Sequence, residues 1–136
     1  MNASRRAWLS AALLVGVIYF LVGKVFALPA SDPRLWRLLA WVVSGGVYAA
    51  HIAYEHYGLD NSPRVSASHI ALAVAIGAIL LAIAGMLHSL SVTSAIRPTW
   101  LLALVVWPAV TAIPAFLGAL VTGAGLARLR RSTDAR

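Results

Sequence analysis

Four stretches of this chain, at roughly 7–28, 36–57, 67–90 and 100–127, are apolar over lengths that could cross a bilayer. A membrane-spanning helix needs about 20 mostly apolar residues. The expected architecture is an all-α integral membrane protein: one four-helix transmembrane domain covering residues 1–136. Composition supports this from the other side. Hydrophobic residues make up 61% of the 136 and charged residues only 11%, against about 25% charged in soluble domains. A soluble fold of this size could not bury so much apolar surface, so lipid is the expected solvent and the bilayer the first partner.

The first apolar run follows Arg5-Arg6, as a secretory signal would. It exceeds the roughly 7–15 residues of a signal's apolar region and three more runs follow, so it reads as a retained helix. Asp32-Pro33 has the form of an N-cap with proline at the first helical position, opening helix 2. Pro29 closes helix 1, Gly58 is a candidate left-handed cap for helix 2, and Ser66 or Ser68 is a candidate cap for helix 3. "DNSP" (60–63) supplies turn residues, Arg97-Pro98 precedes helix 4, and Pro108 and Pro114 should kink that helix.

Lysine and arginine set the expected orientation. An even number of spans puts both termini on one side, with Arg5, Arg6, Arg64, Arg128, Arg130, Arg131 and Arg136. The other side holds Lys24, Arg34, Arg37 and Arg97. The excess predicts cytoplasmic termini in a plasma or inner membrane. The net charge of +7 is spread over segment ends, so nucleic acid is not the expected partner, and the basic tail "RLRRSTDAR" suits anionic lipid headgroups. "LLAWVV" (38–43) and "LLALVV" (101–106) agree at five of six positions, the pattern that duplicated helical hairpins would leave.

Each helix carries a face suited to another helix. Small residues align as Ala12, Gly16, Gly23 and Ala27 in helix 1, and as Ala67, Ala71, Ala75, Ala78, Ala82 and Gly85 in helix 3. Helix 4 aligns Thr111, Pro114, Gly118, Thr122 and Gly125. Lipid offers no hydrophobic drive between helices, so close backbone approach must supply the contact, with Gly85 and Gly118 as packing positions. A chain this short encloses little lumen, so a homo-oligomer or a membrane-protein partner is expected to complete any site.

The candidate site is "HIAYEHYGLDNSPRVSASH" (51–69), which holds three of the four histidines. Ser44, Tyr48, His51 and Glu55 form one polar stripe on helix 2, and ionisable groups within a span usually face inward. Counting from the helix 2–helix 3 turn puts Glu55, His56 and His69 at similar depth, with His51 about 6 Å deeper.

Four readings follow. Tyr48, His51 and Glu55 could relay protons, since histidine titrates near neutrality. His51, Glu55, His56 and His69 could bind a divalent metal, although His56 is rotated about 140° from His51 on a regular helix. The level pair His56 and His69 could ligate haem, within one chain or across a dimer. In the fourth reading Glu55, His56 and His69 rest among headgroups, Tyr54 and Tyr57 join the aromatic belt, and the protein is a non-catalytic accessory or scaffold. Lys24 and His88 make a smaller candidate pair at the outer surface. The leading expectation is proton or cation handling, more consistent with a non-enzyme. There is no cysteine, which excludes disulfides, thiolate metal sites, iron–sulfur clusters and cysteine nucleophiles; no G-x-S-x-G and no glycine-rich phosphate loop are present.

Overall fold

A computed structural model describes residues 3–28, 32–94 and 98–134. Among them it forms four helices and no strand: α1 (Ala3–Val25), α2 (Pro33–Ala53), α3 (Pro63–Thr93) and α4 (Pro98–Asp134). Tyr54–Gly58 continues α2 as a single π-helical turn. Three stretches, Arg6–Val25, Pro63–Thr93 and Pro98–Arg130, are long and apolar enough to cross a membrane. α2 is not among them, because Arg34, Arg37, Ser44, Tyr48 and His51 dilute its apolar content.

The helix boundaries differ from expectation where capping chemistry competes. Asp32 caps α2 as anticipated, its carboxylate accepting from the backbone N–H of Arg34 at 3.1 Å and of Leu35 at 3.2 Å. α3 begins earlier than 67, at Pro63 behind Ser62, since proline at the first position sacrifices no hydrogen bond. Ser66 and Ser68 therefore lie inside α3, and the Ser68 hydroxyl donates back to the Arg64 carbonyl at 3.0 Å. Gly58 is not a left-handed cap. Asp60 takes the left-handed conformation after the π turn, with φ 50°, and Ser94 takes it after α3, with φ 53°. α4 runs past 127 to Asp134, with Pro108 and Pro114 inside it. Pro29, Arg97 and Arg136 lie outside the described residues.

α3 is the central helix, flanked by α1 on one side and α4 on the other. Against α1 the approach is close enough to require glycine. A Cβ on Gly77 would lie 2.7 Å from the Tyr19 Cβ and 3.0 Å from the Gly16 carbonyl oxygen. Farther along, Gly23 faces the Leu81 side chain. Against α4, Gly85 lies beneath the Trp100 ring, and Gly123 faces Pro63. Because α3 packs on two sides it buries two sets of positions: the anticipated Ala67, Ala78 and Ala82, and also Ile70, Ala73 and Gly77.

On α4 the inward face matches the anticipated line only in part: Gly118 faces Tyr48 of α2, but other positions differ. Pro108, Ala119 and Gly123 are buried, whereas Pro114, Thr122 and Gly125 are exposed. On α1, Ala12 and Gly16 are buried, while Ala27 lies past the end of the helix and is exposed. Ile52, Ala67, Ile70 and Ala119 make a small core where α2, α3 and α4 meet, with Tyr48 and Phe116 packed on it. Large apolar side chains such as Trp41, Leu102, Val105 and Val121 point outward, as lipid-facing residues do.

Trp8 lies over His69, Gly16 over Ala73 and Gly23 over Leu81, so α1 and α3 run parallel. Gly85 beside Trp100 and Pro63 beside Gly123 make α3 and α4 antiparallel. The start of α1, the α2–α3 turn and the end of α4 thus share one end of the bundle, where Arg130 pairs with Asp60 at 2.9 Å. The two hairpins are not equivalent. α3 and α4 pack along their length, while α1 and α2 touch sparsely and leave crevices between them.

Candidate functional site

Glu55 stands in the π turn with its side chain fully buried, at 0% exposure. The widened turn redirects the chain: the Leu59 N–H donates to the Tyr54 carbonyl at 3.1 Å and the Asn61 N–H to the Glu55 carbonyl at 3.2 Å. Such π turns often interrupt helices where a side chain must be re-aimed. Folding back in this way brings Asn61 over the carboxylate, and its Nδ2–H donates to Oε2 at 2.7 Å. His69, from the second turn of α3, places Nδ1 at 3.1 Å from Oε1 and 3.0 Å from Oε2. His51, one turn back on α2, holds Nε2 at 3.7 Å from Oε1, just beyond hydrogen-bond distance.

Trp8 completes the arrangement. Its indole stacks on the His69 imidazole with centroids 4.1 Å apart and planes 4° from parallel. The ring of His69 is thereby held flat against α1 while its edge meets the carboxylate. α1, α2, the π turn and α3 all contribute, so the cluster forms only when the bundle does.

Two effects oppose each other at the carboxylate. Burial favours the neutral acid, while hydrogen bonds from Asn61 and His69 favour the carboxylate. Glu55 and His69 can share one proton over about 3 Å, as neutral acid with neutral imidazole or as carboxylate with imidazolium. His51 is 3% exposed, and neither of its ring nitrogens has a hydrogen-bond partner. It is a proton acceptor within a small displacement of Glu55.

Of the anticipated residues, the structure brings His51, Glu55 and His69 together. Tyr48 is directed elsewhere: its hydroxyl donates to the Ala115 carbonyl on α4 at 2.6 Å. His69, rather than Tyr48, is thus the residue that joins His51 at Glu55. His56 is also buried, at 8% exposure, but packs edge-on against Tyr57 with centroids 4.7 Å apart, and its Nε2 is unpartnered. The π turn leaves it off the side that carries Glu55.

Among the described residues, no three histidine or acidic side chains converge as metal ligands. Glu55 lies between its histidines as their partner, rather than beside them around a common point. As for haem, His69 commits Nδ1 to Glu55 and a ring face to Trp8. Lys24 and His88 are exposed, with no hydrogen bond between them among the described residues. Asn61 and Trp8 were not legible as site residues. Asn61 reads as turn chemistry, and nothing in α1 marks Trp8 apart from other tryptophans near a membrane end.

Compared with family models, curated proteins and solved structures, the chain matches none.

Proposed function

We propose that the chain is a four-span membrane protein with cytoplasmic termini, whose Glu55–His69 pair, with His51 as the next acceptor, handles protons. The observation that carries this reading is the fully buried Glu55 carboxylate, bonded to His69 and Asn61 with an unpartnered histidine 3.7 Å away. Ionisable groups are costly in a helical membrane domain and tend to be functional. A purely structural polar contact would be expected to satisfy its members, whereas His51 is left with both nitrogens free. α2 makes the fourth crossing: it runs the length of the bundle, its exposed Arg34 and Arg37 lie in its first two turns, and Tyr48 and His51 face inward rather than toward lipid. The shared end of both termini and the seven basic residues assigned to it support the orientation.

The deciding measurement is proton flux into liposomes holding the purified protein under an imposed pH gradient. The parent should conduct protons above empty liposomes, and Glu55→Gln, which keeps shape but cannot relay a proton, should abolish the flux while melting like the parent. No parental flux, or equal flux in the variant, would remove this function and leave the accessory or scaffold reading.

A further inference from the structure

The Glu55 side chain is fully buried, yet a group that handles protons must exchange them with water. Toward the α2–α3 turn it is covered by the half-buried Asn61. That residue donates its Nδ2–H to Oε2 at 2.7 Å and its backbone N–H to the Glu55 carbonyl at 3.2 Å. The preceding residue, Asp60, stands in the left-handed region at φ 50°, a conformation that aspartate tolerates better than most side chains. A contact from a distant helix holds it there. Gly123 packs against Pro63 at the start of α3, so α4 overshoots that start by about two turns before it reaches Arg130. From there Arg130 donates Nη1–H to the Asp60 Oδ1 at 2.9 Å.

We propose that Asp60 and Arg130 form a latch on the proton site. The ion pair holds the turn closed with Asn61 over Glu55, and its release admits water from the end of the bundle that carries both termini. The two are positioning residues that act through Asn61. The inference rests on the proton-handling reading and names how that site is reached. Three observations favour a latch over an incidental surface contact. Asp60 and Asn61 are consecutive, so a shift of the Asp60 backbone moves the cover. The turn spans only residues 59–62, and α3 opens on a proline, which has no N–H to donate back to it. On its other side the carboxylate meets His69, which the Trp8 stack fixes against α1, so the turn is the part free to move.

The test uses the full chain in nanodiscs and reads modification of Glu55 by a water-soluble carbodiimide and a small amine. Glu55 is the sole glutamate, so mass mapping resolves it, and the exposed Asp32 at the far end normalises the reagent. Where opening and closing are fast, the labelling rate tracks the open population. Asp60→Asn keeps a residue that tolerates the left-handed backbone and removes only the charge, while Arg130→Gln removes the other partner. Both side chains of the pair are more than half exposed. Each variant should therefore label Glu55 only about two- to fivefold faster than the parent, the scale of an exposed ion pair. Arg130→Lys should label close to the parental rate. Asn61→Ala, which removes the cover itself, should label about tenfold faster or more. Raising salt from about 10 mM to about 1 M should speed labelling of the parent and leave Arg130→Gln unchanged, because screening acts on the pair. Parental rates in both Asp60→Asn and Arg130→Gln, or a parent indifferent to salt, would overturn the latch. So would faster labelling matched by a fall in melting temperature, since the pair would then hold the whole bundle rather than the turn. Labelling that depends on the pair in a protein without proton flux would sustain the latch and remove the proton function. Flux with labelling indifferent to the pair would do the reverse.

Discussion

The Tyr48 hydroxyl reaches the Ala115 carbonyl over 2.6 Å by passing across Gly118, where a Cβ would come within 2.8 Å of that hydroxyl. Glycine at 118 and tyrosine at 48 are therefore one feature: the missing side chain on α4 admits the hydrogen bond from α2. Gly118→Ala in the parent should cost about 1–3 kcal/mol, as overpacking does. Tyr48→Phe alone should cost about 1 kcal/mol. In the Tyr48→Phe background the nearest atom is the ring carbon at 3.8 Å, an ordinary contact. The alanine there should be nearly neutral. Denaturation of the four proteins in detergent gives the cycle, and additive effects would show that the two residues do not interact.

A second expectation separates the crossing of α1 and α3 from open helix surface. Gly77→Ala forces a Cβ against Tyr19 and the Gly16 backbone, neither of which can move without shifting a helix. A loss of about 1–3 kcal/mol is expected. Gly45 and Gly46 have nothing within 4 Å of a Cβ. Alanine at either should be neutral or stabilising by up to about 1 kcal/mol, from helix propensity alone. Thermal melts ranking Gly77→Ala level with Gly45→Ala would contradict the α1–α3 crossing.

His51 should behave as a group kept at the expense of stability. With both nitrogens buried and unpartnered, His51→Leu removes unsatisfied polar atoms and replaces them with carbon. The variant should melt at or above the parental temperature and lose proton flux. A variant that melts well below the parent would mean that His51 is a structural partner after all, and flux at the parental level would take it out of the relay.

Sidedness is tested on a clean background, because the chain has no native cysteine. Cysteine placed at Ala3 or at Ser132 should resist an impermeant thiol reagent in intact cells and react after permeabilisation. Labelling from outside at either position would invert the proposed orientation. Labelling at only one would break the four-span topology.

The helical class, the long apolar elements and the Asp32-Pro33 start of α2 were legible in the residue order, because they depend on local chemistry: apolar run length, capping oxygens and the missing N–H of proline. The nearness of His69 to Glu55 was legible too, since a short turn between helices fixes relative depth. Which face of each helix points inward was legible only in part. In a soluble helix the apolar stripe marks the core, but here apolar residues cover every face, and the choice falls to shape. Pro108, Ala119 and Gly123, rather than Pro114, Thr122 and Gly125, line the inside of α4, because those are the positions that α3 and the α2–α3 corner can approach. The pairing of Tyr48 with Ala115, the Trp8 stack on His69 and the crevice beside His51 likewise required the tertiary structure. Each is a contact or a gap between helices far apart in sequence, decided by steric fit, and no local pattern of residues encodes that fit.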